Sequence, residues 1–532
     1  MSLDERHSTE LFESDVISRA ATDVERAFAR VSTARDRLDR ARGRASTSST
    51  PTKSADVLSP TSGTAIERNE EGCVDRVADV GDSRARLTFE RASDDEDEDA
   101  TSDGDDERAT LAMANEREIS TVDVDCDVDV DDDVEAAATL EEEMKVSASG
   151  TRSLRELADS LEHGARVAFA PGTYFANDDG EGVIEITKSV TFVGTEDGEG
   201  VTFVGEIVSS APRFAVKNAR FSKLRVESGE ATIERCKIHG CADASGGAIT
   251  IGPNATCRLS HTEIHDNAGE GLSVFAKNVV VDGCKIYRNT VGVSVSGTSA
   301  VKMSKSRVSD NVTYGLLIRA DASGTYTDNV VSANEVGVRI EGNAAPSLAR
   351  NKIAENRSDG VQCVAKSSGM LNQNVIKHNG GSGIVFDDAC STQAHKNEIE
   401  SNAVNGASMC GKSRPTFVAN RIRANLQNGV SSVEQARGKI HANKISENAA
   451  SGVSIGAVAG GTWADNKIFE NEIGVSIADN AVGSNFKMTG NDIADNITSA
   501  LRAPISLSAT LAKDNALSGD KNEAESGECV VM

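Results

Sequence analysis

The chain has 532 residues, a net charge of −27 and only 4% aromatic residues. That length predicts several segments. The acidic balance argues against a nucleic-acid partner, and no apolar run reaches the 18 residues of a membrane-spanning helix.

The N-terminus, MSLDERHSTELFESD, has neither a basic start nor an apolar run, so no secretory leader is read there. Ten cysteines without a CxxC pair fit a reducing compartment. Within residues 1–45, Ile17, Val24, Val31 and Leu38 recur every seven residues, with Ala20, Ala27 and Ala34 between them. This predicts an amphipathic helix that lies on the body of the protein or pairs with a second copy as a short coiled coil. A disordered arm is the third reading.

Residues 46–148 are expected to be disordered. They begin Ser/Thr-rich, with Thr50-Pro51 and Ser59-Pro60. Between 91 and 150 they carry 23 acidic and 4 basic side chains, too much self-repulsion for collapse. A calcium loop starting at Asp123 is rejected, because Val128 and Val134 stand where an EF-hand needs Gly and Glu.

From 149 to 235 the pattern changes. TRSLRELADSLEHG, residues 151–164, puts Leu154, Leu157, Ala158 and Leu161 on one helical face. Ser153 and Glu156 have capping-box spacing, and Gly164 is a candidate terminator. ARVAFAPGTY, GVIEITKSVTFVG and GVTFVG read as strands of irregular first coils.

Residues 236–517 are a repeat. Aliphatic anchors at Ile238, Ile264, Ile286, Val308, Val331, Ile353, Ile376, Ile399, Ile422, Ile445, Ile468 and Ile493 are spaced by 22 to 26 residues. Each unit reads N-x-I-x-x-N, then G-V-x-I. Pairs such as Val453/Ile455 alternate with strand period. Glycines such as Gly292 and Gly452 suit close approach or a tight turn. Asn such as Asn356 and Asn448 can ladder between stacked coils. One such coil cannot bury its inward face alone, but a stack can.

A capping helix, then A-P-G-T-Y, then I-T-K-S-V-T-F-V-G, then N-x-I-x-x-N coils resembles the right-handed parallel β-helix, or pectin-lyase-like, superfamily. The coils are most similar to the arrays of F-box/β-helix ubiquitin-ligase adaptors, although no F-box segment is readable in 1–150. The resemblance implies an all-β right-handed solenoid of about 12–13 regular coils behind an N-terminal capping helix.

Chemistry is harder to find. The catalytic signatures of polygalacturonases and alginate epimerases are absent, and the coils are too uniform to offer long loops as cleft walls. Asp387-Asp388 reads as a solvated turn, and Arg421-Ile422-Arg423 as surface. The residue before the anchor is basic in seven coils (Lys237, Lys285, Arg307, Lys352, Arg421, Lys444, Lys467). An acid often stands two after it (Asp266, Asp310, Glu355, Glu447, Glu470, Asp495). Such columns read as a mixed, soluble surface or as a charge-patterned docking face. His239 and His265 fall at equivalent sites of adjacent coils. With Asp266 and Cys241 they are the weak candidates for a metal, though none is expected. No catalytic residue and no cofactor is assigned.

Residues 518–532 are a flexible tail ending Cys529-Val530-Val531-Met532, the pattern of a prenylation signal. One lipid without a basic patch gives weak, reversible membrane binding, hence a cytoplasmic protein partly on internal membranes. The expectation from sequence is an intracellular scaffold binding protein partners through its coil faces, with carbohydrate as a lesser partner. The alternatives are a polysaccharide-acting enzyme and a ubiquitin-ligase substrate adaptor.

Overall fold

The computed structural model describes residues 143–147, 153–177, 182–196, 198, 200–456, 458–478 and 486–518. The heptad segment, the acidic tract and Cys529–Met532 lie outside them. Within them the chain winds as a right-handed parallel β-solenoid of about 15 turns.

Each coil contributes one strand to each of three sheets. The anchor sheet holds strands such as Arg421–Arg423 and Lys444–Ser446. The valine sheet holds Val336–Ile340 and Val361–Cys363. The third, closing sheet holds Thr416–Val418 and Lys439–His441. All pairings are parallel and run from one coil to the next. Ile376 pairs in register with Ile399, Ile399 with Ile422 and Ile422 with Ile445, and none of the four is exposed. The predicted anchor register is the observed one.

Both corners of the anchor strand are held by buried asparagine. After the strand, Asn379 Nδ2 donates to Asn402 Oδ1 at 2.9 Å, and the Asn379 N–H donates to the same oxygen at 3.2 Å. Before the strand, Asn397 repeats this with Asn420 at 2.9 and 2.8 Å. Each amide thereby satisfies buried backbone that has left the sheet ladder, which an apolar residue could not do. The glycine that opens the valine strand is required by close approach. A Cβ on Gly406 would sit 2.6 Å from the Gly429 carbonyl oxygen and 2.8 Å from Asn425 Nδ2.

The ends are closed by helices. Helix α1, Leu154–Ser160, buries Leu154 and Ala158, and its Ser153 N-cap accepts from the Glu156 N–H at 3.1 Å. It is shorter than its sequence pattern, because Leu161 is already extended and Gly164 turns the chain three residues later. Helix α2, Ile505–Asp514, follows Pro504 and was not foreseen. Ala516–Ser518 then adds the last anchor strand against Asp492–Ala494. The array also begins before residue 149, since Glu143–Val146 pairs with Ala165–Phe169.

Candidate active site

The outward faces of the sheets differ. On the anchor sheet the outward residues Lys285, Arg307, Lys352 and Lys444 are exposed. On the valine sheet the outward Ser273, Ser294, Ser408 and Ser431 are nearly inaccessible, at 2 to 4%. Two rows of side chains fold over that face and shield it. One row precedes the strand glycine: the Glu270 carboxylate accepts from the Ser273 hydroxyl, and Asn405 Nδ2 donates to Ser408 Oγ at 2.9 Å. The other follows the strand: Arg339 Nε donates to Glu341 Oε2 at 2.7 Å. The result is a trough, floored by small residues and walled by side chains instead of loops.

In four successive coils the serine floor is interrupted by Leu317, Arg339, Gln362 and Val385. A polar network lies there. Arg339 Nη1 donates to Gln362 Oε1 at 2.8 Å, and Gln362 Nε2 donates to Asp359 Oδ2 at 2.8 Å. Asp359 Oδ1 accepts from the Ser382 N–H at 2.7 Å. The Gln362 amide is thus fixed between a guanidinium and a carboxyl group. The Arg339 guanidinium carbon stands 5.7 Å from the centre of the Tyr314 ring. One coil further toward the N-terminus, Arg319 reaches back to within 3.8 Å of Glu270. Asp359 is only 7% exposed, and burial raises its pKa above the ordinary aspartate value despite its hydrogen bonds from Gln362 and Ser382. The site therefore combines a cation able to meet an anionic group, a phenol, and a carboxyl group that holds its proton longer than usual.

None of these residues was singled out from the sequence. They are 20 to 25 residues apart, one coil to the next, so they form no motif. The available signal was the break in the serine column, visible only once the coils are aligned strand by strand.

The residues that the sequence did single out are dispersed. Asp387 follows a valine strand, in the row of Glu341, and its carboxylate accepts from the Asp388 N–H at 2.6 Å in a turn where Asp388 has φ 53°. Arg421 and Arg423 are on the anchor sheet, where Arg423 pairs with Glu400 at 2.5 Å. The His239 and His265 rings do stack, with centres 5.2 Å apart, and Tyr287 extends the stack at 4.8 Å. Asp266 joins His265 Nδ1 at 2.6 Å and takes two hydrogen bonds from Arg288, which hold its carboxyl well below the usual range. Cys241 is buried apart from them, at the corner position of an absent ladder asparagine, where its N–H donates to Asn267. Among the described residues no group of three or more His, Cys, Asp or Glu is placed to hold a metal ion, and no helix is long and apolar enough to cross a membrane.

The family model described as the right handed beta helix region matches residues 224–374 and 365–506, together more than half of the sequence, and the chain belongs to that family. No curated protein matches it. Solved structures of similar fold include the periplasmic alginate epimerase AlgG, at 15% identity and TM-score 0.46, over 56% of this chain and 83% of that one. The A-module of the Azotobacter vinelandii mannuronan C-5 epimerase AlgE6 is similar at 15% identity and TM-score 0.38, over 64% and 92%. A mannuronic acid specific polysaccharide family 6 lyase from human gut microbiota is similar at 12% and 0.37, over 63% and 83%. These are likenesses of fold.

The scaffold expectation is corrected at this point. The neighbours are polysaccharide epimerases and a lyase, so the reading first set aside, an enzyme acting on polysaccharide, takes its place. Its premise also fails physically: uniform coils were expected to exclude a cleft, yet side-chain rows wall a trough without any long loop.

Proposed function

We propose that this protein acts on an acidic polysaccharide lying in the valine-sheet trough, in the manner of an epimerase or lyase. The observation that carries the reading is the fixed Arg339–Gln362–Asp359 network beside Tyr314. Removing a proton next to a sugar carboxylate requires that the developing charge be met by a cation. It also requires a base and an acid of suitable pKa. Arg339 and Arg319 supply the cations. Tyr314 and the buried Asp359 are the groups that can exchange a proton. Gln362 is a positioning residue, with its oxygen turned to Arg339 and its nitrogen to Asp359.

The test is to incubate the purified chain with polymannuronate, mixed alginate, pectate and a neutral glucan. Proton NMR reads epimerised residues, and ultraviolet absorbance reads unsaturated chain ends. Turnover of an acidic polymer, lowered at least tenfold in Arg339→Ala and Asp359→Ala with unchanged melting, is expected. Lack of turnover on every polymer, or turnover indifferent to both substitutions, would remove the reading. Prenylation at Cys529–Met532 stays a separate proposal. Its check is mass spectrometry of the C-terminal peptide from eukaryotic cells, where an intact, unmodified Cys529 would end it.

A further inference from the structure

The anchor sheet carries an arrangement that the trough chemistry does not use. Its strands run basic residue, anchor, small residue, acid. In the coils of Lys444/Glu447 and Lys467/Glu470 both charges are exposed, and neither makes an ion pair. The coils of Arg307/Asp310 and Lys352/Glu355 repeat this. Elsewhere on the array the exposed charges are paired along the axis, as Lys285 is with Glu263 at 2.8 Å and Arg350 with Asp328 at 2.8 Å. The unpaired ones instead stack in two like-signed rows parallel to the axis. Three extended residues separate the rows, roughly 10 Å, and successive coils are about 4.8 Å apart. Like charges directly opposite on neighbouring strands are destabilising. Two such rows on one face are a cost that needs an external partner to offset it.

A linear polyanion does not fit, because the acidic row would repel it as much as the basic row attracts it. A two-fold operation does. Rotating a second copy by half a turn about an axis parallel to the solenoid, and lying over this face, keeps every coil at its own level. It places each basic row over the other copy's acidic row, so Lys444 meets Glu447 and Lys467 meets Glu470 across the contact. The two-fold axis in the perpendicular direction would set like rows together. Between the rows the surface is low: Ser309, Ser332, Ala354 and Ser446 are all buried, and only Phe469 rises there, with the Lys444 ammonium 4.9 Å from its ring centre. A recessed, weakly polar centre flanked by opposed charges is the anatomy of an isologous contact.

We infer that the protein self-associates through its anchor sheets as a parallel two-fold dimer, which leaves both valine-sheet troughs facing away from the contact. The strip from Arg307 to Asp495 is roughly 40 Å long at about 4.8 Å per coil. It is narrow and its charges are exposed, so the dimer is weak and sensitive to salt.

The test uses the full chain in sedimentation velocity at low and high ionic strength. Wild type is expected to dimerise at low salt and to dissociate as salt is raised. One variant reverses the basic row (Lys444→Glu with Lys467→Glu), and another reverses the acidic row (Glu447→Lys with Glu470→Lys). Each alone is expected to be monomeric, with circular dichroism and melting as for wild type. An equimolar mixture of the two is expected to restore the dimer, because the rows are again complementary. A wild type that stays monomeric at low salt overturns the inference. So does a dimer that survives either reversal, which would place the contact elsewhere, for instance in residues 1–45. A mixture that fails to pair overturns the two-fold geometry and with it the proposal.

Discussion

The first coils and the ladder coils solve the same packing problem by different means. Between residues 165 and 217 the interior is filled by Phe169, Tyr174, Phe192, Phe203 and Phe214, and Phe169 meets three of the other rings edge-on at 4.9 to 5.2 Å. The strands there are long and irregular. Arg220–Glu234 and Gly247–Ser260 each run through two sheets without a formal break, and register slips between Phe203 and Glu206 and between Ile251 and Asn254. From Asn329 onward the interior is mainly aliphatic, and both corners are pinned by asparagine in every coil. Bulky rings fill a cross-section of any shape, so they tolerate irregular coils. Small aliphatics leave no slack and need corners that repeat at a fixed height. The amide ladder supplies that constancy, and uniform coil length is its consequence.

If this contrast is right, the ladder coils should fail sharply when their interior is breached. Ile422→Asp puts a carboxylate where nothing is exposed, between Ile399 and Ile445. A buried charge without a partner costs many kcal/mol in the limit. The expected result is loss of the cooperative melt by circular dichroism; native melting would show the register to be wrong. Gly406→Ala is the next largest. Its new Cβ collides with the Ile422 side chain, the Gly429 carbonyl and the Asn425 amide, and none of these can move without disturbing a ladder. A loss of about 2–3 kcal/mol is expected from such overpacking, and an unchanged urea midpoint would refute the close-approach role of this glycine.

The corners allow a more direct comparison. In the ladder coils Asn397 accepts from both Asn374 nitrogens, at 2.9 and 3.0 Å, and donates to Asn420 and to the Leu371 carbonyl, each at 2.9 Å. In the early coils the same corner is Thr262, whose hydroxyl accepts from the Cys236 N–H at 3.4 Å and donates to Ser260 at 3.0 Å. Asn397→Ala leaves several buried groups unmet, for about 2–3 kcal/mol. Thr262→Val keeps the shape and loses one long bond, for about 1 kcal/mol. Equal losses in chemical denaturation would mean that the two kinds of corner do not differ.

This contrast also marks how much of the molecule was legible in the sequence. The anchor register could be read because Ile376, Ile399, Ile422 and Ile445 recur at a single interval, and a ladder enforces that interval. The slips near Phe203 and Ile251 could not, since aromatic packing imposes no period. Helix α2 was missed because ISLSATLAKD interrupts the repeat with only a weak apolar face; Ser508 and Leu511 are its buried residues. The trough escaped because its formative residues are outward-facing. A sequence read for inward periodicity treats Arg339, Asp359 and Gln362 as surface variation, when they are three members of one network on consecutive coils. The His239–His265 stack was anticipated, since equivalent positions of adjacent coils must meet. Tyr287 lies on the same column one coil later and was overlooked for being neither histidine nor cysteine.

The smallest expected effect lies within the ladder coils themselves. Asp359 and Asn405 occupy the same position two coils apart, both nearly buried, one ionisable and one neutral. Burial lifts the Asp359 pKa in the fold above its value in the unfolded chain, which is near 3.9 for an ordinary aspartate. The folded state therefore favours the protonated acid. Its contribution is fully present below the unfolded pKa and is lost as pH rises through the folded one. Asp359→Asn makes this coil like that of Asn405 and removes the titration. Urea midpoints of wild type and variant should lie closest, or favour wild type, at pH 4. They should then diverge toward neutrality as wild type loses ground to the variant. The other carboxylates titrate alike in both proteins, so the difference isolates Asp359. Parallel curves from pH 4 to 8 would mean that Asp359 titrates as a solvated group, and that the trough is open to water at its centre.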